Sequence, residues 1–112
     1  MPADAITTDN LGDQIADAAK KAFGKQFKNV KTFVKAESEK LAITLRMIIE
    51  ATAANEITEA EARVLLNQQK VAASAVFTAA QGMTAVAAQA AIDAALGAVK
   101  KFVNGKVGFA LL

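Results

Sequence analysis

The sequence predicts an all-α fold, a long antiparallel helical hairpin of two main helices that oligomerisation completes. Three observations predict it. An apolar series at helical spacing runs from Leu11 to Ile48. A helix-starting pattern, Thr58-Glu59-Ala60-Glu61, follows a short Asn-containing link. Alanine, the strongest helix former, dominates after Val71, and the single proline is Pro2, outside both helices.

Residues 1–10 read as a flexible acidic lead, in which Asp9 or Asn10 is placed to cap the first helix. Helix one is expected over residues 11–52. Its stripe is Leu11, Ile15, Ala19, Phe23, Phe27, Val30, Val34, Leu41, Leu45 and Ile48. At about 100° per residue these positions share one sector. Gly12 and Gly24 lie off the stripe and weaken the helix without turning its face. A break near Gly24 or a bend near Ala36 is compatible with the pattern. Unbroken, this helix is about 60 Å long.

Residues 53–58 form the turn. Asn55 tolerates left-handed backbone, which suits a helix end. Thr58 and Glu61 are spaced for a capping box, with Ile57 before it as a staple for Ala62. A link this short makes the two helices antiparallel neighbours. Helix two is expected over residues 59–103, with a stop at Asn104-Gly105 and a break allowed at Gly82. Its first third sets Val64, Leu65, Leu66 and Val71 against Arg63, Asn67 and Lys70. From Val71 to Val99 the only charge is Asp93. The hairpin domain therefore covers 11–104, and 105–112 is an apolar tail that should dock on something.

Two helices bury one stripe each and leave the other faces wet. The choice is a fold-back at Gly82 into a three- or four-helix bundle, or partners that cover the apolar surface, and the sequence reading favours partners. Copies of the chain are the simplest partners. The expected self-association residues are Val76, Phe77, Met83, Val86, Ile92, Leu96, Val99, Phe109, Leu111 and Leu112. A further protein partner is compatible with the same surface.

The composition excludes much chemistry. Histidine and cysteine are absent, which removes the commonest general base, the commonest metal ligand and every disulfide. The serines are Ser38 and Ser74, with no histidine to activate either. Glu37/Glu39 and Glu59/Glu61 are two apart and do not face each other on a helix. The glycines are scattered, so no phosphate-cradling loop exists. The chain is expected to be no enzyme and to carry no catalytic residue, cofactor or metal.

Net charge is +2, but its distribution is uneven. Lys20, Lys21, Lys25, Lys28, Lys31 and Lys35 fall in a stretch without acids, opposite Phe23, Phe27, Val30 and Val34 on a helical wheel. These six lysines are the candidate contact with an anionic surface such as a membrane. Sequence-specific nucleic-acid binding is disfavoured: the two arginines, Arg46 and Arg63, lie far from the lysines, and no Tyr or Trp offers a stacking platform.

Length, composition and absent chemistry resemble, as a class, those of small helical subunits of secretion needles and phage particles. The expected function is structural: a hairpin subunit that self-associates or docks into a larger complex. The alternative is a membrane-active protein, a pore former or a lysis or ejection factor. In that reading the Ala-rich helix inserts as an oligomer and hides Gln81, Gln89 and Asp93 in a polar lumen. No basic region followed by an apolar run opens the sequence, so synthesis as a cytoplasmic protein is expected.

Overall fold

The computed structural model describes residues 5–112, with Gln81 described by its backbone alone. Among the described residues the regular structure is entirely helical: α1 (Leu11–Phe23), a 3₁₀ turn (Gly24–Gln26), α2 (Phe27–Ala53), α3 (Glu59–Gln81), α4 (Ala85–Gly97) and α5 (Lys100–Val107). The all-α expectation holds, but neither long helix is continuous.

The first break falls at Gly24, which adopts φ 56°, ψ −124°. That is the conformation of the first central residue of a type II′ turn, open to glycine and strained for any residue with a Cβ. The chain reverses there, and α2 runs back along α1. The stripe from Leu11 to Ile48 is buried as its spacing predicts, with only Phe27 partly exposed. Its two halves face each other across the α1–α2 interface instead of sharing one direction.

The α2–α3 turn follows its sequence signals. Asn55 takes positive φ, 57°. Thr58 Oγ1 accepts from the Glu61 backbone N–H at 3.1 Å, and Glu61 Oε1 accepts from the Thr58 N–H at 2.8 Å, completing the capping box. At the other end of α1 no side-chain cap forms. Asn10 Oδ1 instead accepts from the Thr7 N–H at 2.8 Å, and its Nδ2 donates to the Ala5 carbonyl at 2.8 Å.

The second break falls at Gly82, in the left-handed region at φ 63°. Thr84 then caps α4 by accepting from the Ala87 N–H at 3.1 Å. A third interruption at Ala98–Val99 separates α4 from α5, and α5 continues past Asn104-Gly105 to end at left-handed Gly108. Each of α1 to α4 packs on the next, and α4 closes back on α1, so the four form a ring around one core. Up-down-up-down order is the one that short links allow. α5 packs on α2 and α4.

The two-helix hairpin awaiting partners is thus replaced by a bundle that covers its own stripes. Phe77, Ile92, Leu96, Val99 and Leu111 are buried in the core, and Met83, Phe109 and Leu112 pack against it. Of the residues expected to mediate self-association, Val86 alone is fully exposed, Val76 being half-buried. The apolar tail docks on its own chain. Asn104 Oδ1 accepts from the Leu111 and Leu112 N–H groups, each at 2.9 Å, and Arg63 lies 5.8 Å over the Phe109 ring.

Candidate functional site

Once the stripes are buried, the remaining surface falls into an apolar face and a basic end. The exposed large apolar side chains are Phe33, Ile43, Met47, Val64, Leu65, Val71 and Val86. All but Val86 lie on α2 and α3. Helix spacing explains this: Ile43 and Met47 are one turn apart on the side of α2 away from Leu41 and Leu45, while Val64 and Val71 share a row on α3. Of the expected apolar side of α3, only Leu66 turns into the core, joined by Ala62, Ala73 and Phe77.

Between α2 and α3 runs an open groove of about 240 Å³, lined by Thr44, Met47, Ile48, Leu65, Gln68 and Gln69. Met47 is 63% exposed and Leu65 is 44% exposed. This pairing of side chains from antiparallel α2 and α3 sets the neighbouring charges at opposite ends of the face. Lys40 lies toward the α3 C-terminal half, while Glu50 and Glu61 lie by the 54–58 turn. The middle of the face carries amides and a hydroxyl but no charge. This surface is missing from the sequence-based candidates. A signal for it existed: residues 41–49 hold more large apolar side chains than one stripe uses.

The six lysines are all exposed, but the break at Gly24 divides them. Lys20, Lys31 and Lys35 line a groove between α1 and α2 together with Asp13, Asp17, Phe27 and Val34. Lys21 faces the other side, in the cleft between α1 and α4. Lys25 sits on the 3₁₀ turn and Lys28 in the first turn of α2. The lumen candidates do not share one polar track. Gln89 and Asp93 line a cleft with Asn67, Lys70 and Val71, and Asp93 is paired with Lys70 at 2.7 Å. The Gln81 side chain lies outside the described residues.

Among the described residues, no three acidic side chains gather into a group that could hold a metal ion. The buried Glu37 carboxylate is paired with Lys40 at 3.0 Å. What the surface offers chemically is adhesion: an uncharged apolar face on α2–α3 and a concentration of ammonium groups at the α1–α2 turn. Compared with protein-family models, with curated proteins and with solved structures, the chain matches none.

Proposed function

We propose that the chain is an assembly subunit whose bundle pairs with a second copy through the outer α2–α3 face. The observation that carries this reading is the pairing of exposed Met47 and Leu65 across the α2–α3 groove, with Ile43 and Val64 exposed on the same two helices. Exposed apolar side chains that cluster, with charges held at the margin, have the layout of a protein interface.

The charges favour a second copy as the occupant. Lys40 marks one end of the face, and Glu50 and Glu61 mark the other. A two-fold axis through the groove exchanges the ends, so Lys40 of each copy meets the acids of the other. Isologous pairing asks for this self-complementarity. Four half-exposed side chains, Ile43, Met47, Val64 and Leu65, contribute about 1 kcal/mol each on further burial, set against the entropy of association. The pairing is therefore weak and depends on concentration.

Insertion of the Ala-rich segment into a bilayer has less support. No helix among the described residues is long and apolar enough to cross a membrane. A span would require α3 and α4 to straighten through Gly82, and Asp93 to leave Lys70.

Light scattering on the wild type and on Met47→Glu tests the proposal. The Met47 side chain is mostly in solvent, so the variant keeps its helical circular dichroism. The expected result is a mass that rises with concentration in the wild type and stays at one chain in the variant. A wild-type mass that stays at one chain, or a variant that associates equally well, overturns it.

A further inference from the structure

The bundle has one end from which acids are missing. The α1–α2 turn and the α3–α4 turn lie together there: Phe23 and Phe77 pack with ring centroids 4.8 Å apart and planes tilted by 53°, and Ala22, Phe23 and Gln26 share a cleft with Met83 and Ala87. Residues 18–36 and 71–92 meet at this end, and neither stretch contains an Asp or a Glu. The first stretch contributes Lys20, Lys21, Lys25, Lys28, Lys31 and Lys35, all exposed. Among the described residues none of the six makes an ion pair. Asp13 and Asp17 share the α1–α2 groove with Lys20, Lys31 and Lys35, and Asp17 also reaches the cleft beside Lys21, so Lys25 and Lys28 at the turn are the lysines furthest from any acid of these clefts.

Lys20 and Lys21 suit the last turn of α1, but the next lysines work against the helix that carries them. Lys28 and Lys31 occupy the beginning of α2, which has no acid in its first turn. A helix N-terminus is the positive end of its dipole and disfavours cations. Fold stability alone gives no reason for lysines at this position. At the same end, the α3–α4 turn presents Met83, half-buried, and Val86, which is 79% exposed.

We infer that this end of the bundle is a docking surface for an anionic phospholipid membrane. The lysines meet the headgroups, and Val86 with Met83 enters the interfacial layer. Clustered basic side chains next to an anionic leaflet contribute additively and are screened by salt. The exposed aliphatic apex decides between a membrane and nucleic acid. It gains by entering the acyl boundary and gains nothing against a phosphate backbone. At the turn itself the rings are engaged, Phe23 against Phe77 and Phe27 beneath Lys20 at 5.6 Å, which leaves Phe33, further along α2, as the one exposed ring of this stretch. This contact is peripheral and leaves the α2–α3 face free, so it stands or falls independently of pairing between copies.

The test is sedimentation of the full chain with phosphatidylcholine vesicles, with and without phosphatidylserine, at low and high salt. Binding is expected on the phosphatidylserine vesicles alone and is lost at high salt. The double variant Lys25→Glu/Lys28→Glu should bind at least about tenfold more weakly, the loss expected from removing two basic contacts. It should also melt at a higher temperature, since acids suit the start of α2. Val86→Ser should weaken vesicle binding without changing the melting temperature. Equal binding to neutral vesicles, no binding to either kind, undiminished binding by the double variant, or tighter binding to random-sequence duplex DNA overturns the inference.

Discussion

Gly12 is buried where α1 comes close to α2. A Cβ there would run into Glu39 Oε2 and lie 3.6 Å from the Ala42 Cβ. Glu39 is held by Arg46 at 3.0 Å, and Arg46 also donates to the Thr8 carbonyl at 3.1 Å, tying the lead to α2. Gly12→Ala gains about 0.5–1 kcal/mol of helix stability. It loses a partly exposed ion pair of about 0.2–1 kcal/mol, so the net change is near zero. In a Glu39→Ala background nothing is left to displace, and Gly12→Ala should then stabilise by about 0.5–1 kcal/mol in urea unfolding. Equal effects in both backgrounds would show that the contact with Glu39 carries no energy. Thr52 provides a second residue-level test. Its hydroxyl is buried and, among the described residues, has no hydrogen-bond partner. Thr52→Val removes an unsatisfied group and keeps the branched shape, so it should stabilise by about 1 kcal/mol. Loss of stability would mean that the hydroxyl is satisfied in solution.

The decisive elements are the two glycine breaks, and they show where the sequence was legible. Spacing identified the large apolar positions buried from Leu11 to Ile48, because burial of a helical face depends on the period, but it missed Gly12, Glu37, Ser38 and Ala42, which are buried where the helices come close. It did not reveal that the helix reverses at Gly24, because a glycine off the stripe leaves the period intact. At Gly82 the same ambiguity was visible as a choice between a break and a partner-covered helix. The capping box at Thr58 was legible because its partners are three residues apart. The α2–α3 face was not, since it depends on which helices become neighbours. Nothing lies within 4 Å of a Cβ built at Gly24 or Gly82, so alanine at either site costs backbone strain alone. Gly82→Ala should cost about 1–2 kcal/mol, the left-handed penalty. Gly24→Ala should cost more, because its ψ of −124° lies outside the left-handed well. Thermal melts order the two variants, and the reverse order would mean that the turn at Gly24 relaxes to another conformation. The C-terminal clasp is a further element-level feature. Asn104→Ala removes the acceptor for two backbone donors and should free residues 109–112 to proteolysis while circular dichroism stays helical.

At the scale of the whole molecule, the surface divides into an apolar α2–α3 face and a basic end. The stripes that once seemed to need partners close on each other, and what is left for partners is smaller: the α2–α3 face and the basic end. The candidate site was legible only in part. The lysines were found by charge, but their shared end needed the two turns to be placed side by side. The proposed pairing has an electrostatic signature. Glu50→Lys sets like charges against Lys40 of the second copy and should weaken association, more so at low salt than at high salt. Unchanged association would exclude the two-fold arrangement.

The most direct test of the central claim is the mass of the wild-type chain in buffer by sedimentation equilibrium across a wide concentration range. A reversible rise from one chain to two is the predicted result. A mass fixed at one chain up to the highest soluble concentration would contradict the account.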